Sequence, residues 1–185
     1  HGGTNGFNRK VWSVRSPAGA DNTLELSYQS PDGEEGYPGN LDVKVTYKLS
    51  GGRLSIKYEA VCDADTFVSL TNHSYFNLNG IGSGDIFSHE IKINADYYSE
   101  VDSNHVATGR RLPVAGGPYD FRARKLIGTD ISPDFAGYGD NFILNGKETA
   151  ELEGRSLQLA ADMRCRGRRM RVYTDMPCMQ FYTGR

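Results

Sequence analysis

Long apolar runs are absent from this sequence. No stretch approaches the roughly 18 residues that a spanning helix needs, so no membrane partner is expected of these 185 residues. An excess of one charge is also lacking. Lys and Arg number 21 against 23 Asp and Glu, a formal net charge of −2, which argues against nucleic acid as a partner. Cysteine is scarce. Cys62, Cys165 and Cys178 are odd in number and match neither a disulfide framework nor a metal cluster, which suits free thiols in a reducing, cytoplasmic setting. Four histidines, at 1, 73, 89 and 105, include no pair at ligand spacing, so no metal and no cofactor are expected. No Ser or Cys stands in a nucleophile motif, and no window carries a sustained helical stripe.

What is present is glycine, at 22 residues, and aromatics, at 11%. Short alternating runs are separated by turn residues from end to end. Leu24, Leu26 and Tyr28 alternate with polar residues. Leu41, Val43, Val45, Tyr47 and Leu49 alternate up to Gly51-Gly52, after which Leu54, Ile56, Tyr58 and Ala60 resume. Two alternating runs about Gly-Gly predict a hairpin. Ile91, Ile93 and Ala95 form another run, and Leu157 to Met163 pairs naturally with Met170 and Val172. The expectation is all-β, a sandwich or barrel of antiparallel strands. Two polar loops, Ser30 to Asn40 and Asp102 to Asp120, are long enough to be functional, although Glu34 and Glu35 in the first are expected to be solvated. The opening on His1 and the halt after a strand-like run predict a piece of a longer domain.

Chemistry concentrates in Thr71-Asn72-His73-Ser74-Tyr75-Phe76-Asn77-Leu78-Asn79-Gly80. Period-two alternation places Thr71, His73, Tyr75 and Asn77 on one face and Val68, Leu70, Phe76 and Leu78 on a core face. A hydrogen-bonding face with a histidine suits a polar pocket that moves protons, though a lone histidine is more often a satisfied structural residue. His1-Gly2-Gly3 would let a ligand approach the backbone. Asp140 opens the run Phe142 to Leu144 in what reads as a turn, and the Gln180 amide could both donate to and accept from a sugar hydroxyl. Arg164, Arg166, Arg168, Arg169 and Arg171 alternate with Cys165, Met170 and Val172 around Gly167, the pattern of a hairpin's solvated outer face.

Taken in order, these pieces resemble the aldose 1-epimerases, the galactose mutarotase family. The resemblance is carried by His1-Gly2-Gly3 with Gly6-Phe7 and Trp12, by Gly36-Tyr37-Pro38-Gly39, and by Asn72-His73-Ser74-Tyr75-Phe76-Asn77-Leu78. It continues through His89 to Asp96, Val101-Asp102, Thr108-Gly109, Asp120-Phe121-Arg122 and Gln180 to Gly184, so that all 185 residues form part of one such domain. The resemblance implies an antiparallel β-supersandwich and interconversion of the α and β anomers of hexoses such as galactose and glucose. It implies His73 as general acid, His1, Ser74, Tyr75 and Gln180 as sugar contacts, and a small-molecule hexose as partner. Two departures stand out. The family's base glutamate lies beyond Arg185, so no base is assigned and the 185 residues alone are expected to be inactive. Aligned on Asn141-Phe142, the family's sugar-binding aspartate falls on Gly139, and only a bulge would swing Asp140 into that place, since a one-residue slip reverses the face. Loss of activity, leaving a carbohydrate-binding domain, and a hexose-phosphate epimerase using the arginine cluster are the competing readings.

Overall fold

The computed structural model describes residues 2–17, 19 and 21–184. The chain divides into two compact units, His1–Ser74 and Tyr75–Arg185. Among the described residues there is no α-helix; three short 3₁₀ turns punctuate antiparallel strands.

The first unit is one sheet ordered β1 (Ser13–Arg15), β2 (Thr23–Ser30), β3 (Leu41–Ser50) and β4 (Arg53–Cys62). The predicted Gly-Gly hairpin is present as read. Ser50 pairs with Arg53, and Gly51 and Gly52 both take positive φ, 55° and 75°, the mirror-image turn that matches strand twist. Alternation puts Leu41, Val43 and Val45 on the buried face, where Phe7, Trp12, Leu26, Tyr58 and Leu70 pack against them. The Trp12 indole N–H donates to the Phe7 carbonyl at 3.0 Å, and the Phe7, Trp12 and Tyr28 rings contact one another. Residues ahead of the first strand are thereby bound to the sheet face.

The second unit holds two sheets. One centres on β11 (Arg155–Cys165), paired with β10 (Thr149–Leu152), β12 (Arg168–Thr174) and β5 (Glu90–Ile93), with β8 (Lys125–Leu126) beyond β5. The other runs β13 (Cys178–Tyr182), β9 (Gly139–Leu144), β6 (Ala95–Val101) and β7 (Ala107–Pro113). A common core joins them: Ile91, Ile93, Ala161 and Met163 come from the first sheet, and Ala95 and Phe142 from the second. Phe121 and Tyr138 fill the space between, with rings 5.0 Å apart.

The run Ile91-Ile93-Ala95 proves to be two strands in two sheets. Asn94 is the corner. It is 7% exposed, its N–H donates to the Ala160 carbonyl at 3.0 Å, and its amide nitrogen donates to the Leu159 carbonyl at 2.9 Å. The β11–β12 register slips between Leu159 and Ala161, so a bulge accommodates the corner. The loop expected over Asp102 to Asp120 contains β7. Its exposed Thr108, Arg110 and Arg111 carry no apolar alternation that would announce a strand.

The arginine hairpin turns at Arg166 and Gly167, with φ of 45° and 78°, and Arg164, Arg166, Arg168, Arg169 and Arg171 are exposed as expected. Arg169 is nevertheless engaged. Arg169 donates to both oxygens of the buried Asp162 at 2.9 and 2.8 Å, and Arg124 donates to the same carboxylate at 2.6 Å. Burial pushes the Asp162 carboxyl up; the two guanidiniums outweigh it and hold it below the usual range.

Candidate functional site

The chemistry-bearing stretch 71–80 is not a strand. Among the described residues nothing between Asp63 and His89 joins a ladder. The side chains explain this. Asn72 Oδ1 accepts the Ser74 N–H at 3.3 Å, Asn77 Oδ1 accepts the Asn79 N–H at 2.9 Å, and Thr71 Oγ1 donates to the Asn72 carbonyl at 3.2 Å. Such local bonds compete with sheet pairing. Half of the predicted core face fails with the strand: Val68 is 46% and Phe76 48% exposed, while Leu70 packs on the first unit's core and Leu78 on the second's. His73 and Ser74, both exposed, close the first unit, and Tyr75 opens the second.

Within the second unit, β9 and β13 bring two candidates, Asp140 and Gln180, into one ladder. Tyr182 pairs with Gly139, Phe181 with Asp140, and Gln180 with Asn141, without a register shift. Directly opposed residues share a face. Gln180, Asn141, Gly139 and Tyr182 therefore line one side, and the Tyr75 ring lies 6.0 Å from that of Tyr182. The Gln180 amide nitrogen donates to the Gly139 carbonyl at 2.7 Å, which leaves its carbonyl oxygen as the acceptor on this polar, aromatic surface. Asp140 falls on the other side with Phe142 and Phe181. Its carboxylate accepts the Gly139 N–H at 3.0 Å, and after burial its charge is the next cause raising the Tyr98 hydroxyl above its usual range. No bulge carries Asp140 across to Gln180.

The first unit holds a second set of ties. Glu34, expected to be solvated, has a side chain only 12% exposed. It accepts from Lys10 Nζ at 2.6 Å, the Tyr28 hydroxyl at 2.8 Å and the Ser30 hydroxyl at 2.7 Å. Burial pushes its carboxyl up, and these three donors hold it below the ordinary carboxylate range. Glu35 accepts the Thr4 and Asn5 N–H groups at 2.7 and 3.1 Å. A Cβ on Gly3 would sit 2.0 Å from the Glu35 carboxylate. The backbone at Gly3 is thus approached by this chain's own acid rather than left open for a ligand, and His1 lies outside the described residues. Gly39 has φ of 83°, and a Cβ there would meet Cys62 Sγ at 2.5 Å. The acidic loop is a closed structure that fixes the segment following His1.

Sequence reasoning gave His89 no role of its own, and the structure gives it one. It is fully buried. The Leu78 N–H donates to its Nε2 at 2.9 Å, which makes Nε2 the acceptor, so Nδ1 carries the proton and donates to the Ile86 carbonyl at 3.1 Å. Burial holds its pKa below the ordinary 6.5, against the opposing Ile86 bond and Asp85 charge. As pH drops below about 6.5, the unfolded chain takes up a proton that the folded one refuses, so stability falls until the folded value is passed. His89→Gln keeps an acceptor without titrating. Its urea midpoint, compared at pH 7.5 and 5.5, is expected to lose less than that of the wild type; equal losses would refute this origin.

The fold has counterparts among sugar epimerases. A crystal structure of galactose 1-epimerase from Lactobacillus acidophilus NCFM superposes with a TM-score of 0.83 at 32% identity, covering 98% of this chain and 53% of that one. The sequence is 43% identical to galactose mutarotase of Homo sapiens, over all of this chain and 52% of that protein. It is 35% identical to aldose 1-epimerase of Escherichia coli strain K12, over all of this chain and 53% of that protein. The aldose 1-epimerase family profile matches residues 1–185, and the chain belongs to that family. It spans about half the length of the relatives it matches.

Proposed function

We propose that the full-length protein carrying this chain is an aldose 1-epimerase, an isomerase acting on galactose or glucose. The observation that carries the reading is identity of 43% over the whole chain to a galactose mutarotase, with Asn72-His73-Ser74-Tyr75 in the catalytic stretch. In this reading His73 gives its proton to the ring oxygen while a base, which we do not assign among these residues, takes the anomeric hydroxyl proton. The C1–O5 bond breaks, the aldehyde turns about C1–C2, and closure from its other face reverses both transfers. Two proton-transfer groups acting on one bond are what the chemistry requires. Ser74, Tyr75 and Gln180 contact the sugar, as does His1. Asp140 is retained as a lesser contact on its own side of the ladder. Cytoplasmic location is part of the reading and rests on three thiols without a disulfide; among the described residues no helix is long and apolar enough to cross a membrane.

The Gln180 and Asp140 roles are separable by kinetics on freshly dissolved α-galactose. Gln180→Leu should raise KM by about 10-fold, the loss of one or two sugar hydrogen bonds, while Asp140→Asn stays within about threefold. The reverse order would place the sugar on the Asp140 side and contradict the assignment.

A further inference from the structure

Resting on the reading that the 71–80 stretch handles the sugar, we propose that His89 and Arg168 are positioning residues for the reaction, gripping Leu78 on both of its peptide groups. The N–H of Leu78 donates to His89 Nε2 at 2.9 Å. The carbonyl of Leu78 accepts Arg168 Nη1 at 2.6 Å, a short, charge-assisted bond of the stronger kind.

The need for such a grip follows from what the stretch lacks. With no strand pairing among the described residues, its backbone cannot take its conformation from a ladder. In the second unit its path is set by side chains instead. Besides the two bonds to Leu78, the Asn77 amide nitrogen donates to the Gly84 carbonyl at 3.2 Å, and the Asn77 Oδ1 accepts the Asn79 N–H at 2.9 Å. Tyr75 is three residues upstream of Leu78, and His73 five.

Both grips start from backbone that is held in place. The His89 N–H donates to the Ile86 carbonyl at 3.0 Å and its carbonyl accepts the Ile127 N–H at 2.8 Å, so backbone as well as ring is fixed. Arg168 is the first residue of β12 and pairs with Cys165 across the hairpin. His89 Nδ1 closes its bond within the histidine's own turn, with the Ile86 carbonyl. Its Nε2 instead reaches back 11 residues to the functional stretch. Misplacement of a reacting group by about 1 Å costs up to about 10²-fold, so a loosened Leu78 is read out as rate.

The test uses the full-length gene product, with initial mutarotation rates of α-galactose measured well below each variant's Tm. His89→Leu keeps volume and loses the acceptor; His89→Gln restores one. Arg168→Met keeps length and loses the donor; Arg168→Lys restores one. The expected result is a fall in kcat/KM of about 10-fold or more for Leu and Met, with Gln and Lys recovering to within about threefold of wild type. Should His89→Leu fail to fold, exposed Arg168 decides, because its replacement opens no cavity. Active wild type with Leu and Met variants that lose Tm yet keep kcat/KM within about threefold overturns the positioning role alone. An inactive wild type overturns the functional reading, and this one with it.

Discussion

Replacing His73 by alanine in the full-length gene product is expected to slow galactose mutarotation by about 10²–10⁴-fold, the range for loss of a general acid or base. The effect should fall on kcat, since the proton is delivered to the ring oxygen in the transition state and the resting sugar gains little from it. The substitution should cost the fold little. His73 is exposed and lies outside any ladder, so neither a core cavity nor a broken strand follows. Activity that drops with an unchanged Tm is the signature. Loss of less than threefold in a folded variant would remove His73 from the acid role.

Phe121→Ala should have the largest effect on stability, about 3–5 kcal/mol by urea unfolding, the range for emptying a buried aromatic site. Phe121 is 1% exposed. Its ring meets Tyr138 at 5.0 Å, Phe181 at 5.7 Å and Phe142 at 6.3 Å, and Lys125 Nζ lies 4.4 Å from its centroid. Phe142 belongs to β9 and Phe181 to β13, so the cavity would open beneath the two strands that carry Asp140 and Gln180. Phe121→Leu, which refills most of the volume, should recover more than half of the loss. A cost below about 1 kcal/mol for alanine would mean that this aromatic cluster does not hold the two sheets together.

Where side-chain alternation was long and ended in an unambiguous turn, the sequence was sufficient. The β3–β4 and β11–β12 hairpins and the all-β class were legible for that reason. Alternation misled where backbone partners were absent. Thr71 to Leu78 alternates as well as β4 does, but Asn72 and Asn77 spend their side chains on nearby backbone and no ladder forms. Asn94 looked like one more polar residue in an alternating run; its buried amide instead turns the chain from one sheet into the other. Strand β7 was invisible because its Arg110 and Arg111 leave no apolar period. Glu34 and Glu35 read as solvated acids, because most of the donors that claim them, Lys10 and the backbone at Thr4 and Asn5, are distant in sequence. Of the candidate site, the residue types and their order were legible. The facing of Gln180 with Asn141 and away from Asp140 required the β9–β13 register.

Polarimetry of freshly dissolved α-galactose shows whether the gene product interconverts hexose anomers. Catalytic amounts of the full-length protein are expected to bring the rotation to its equilibrium value far faster than buffer alone, with α-glucose or α-galactose, or both, accelerated. A folded full-length protein that leaves both sugars mutarotating at the uncatalysed rate would contradict that expectation.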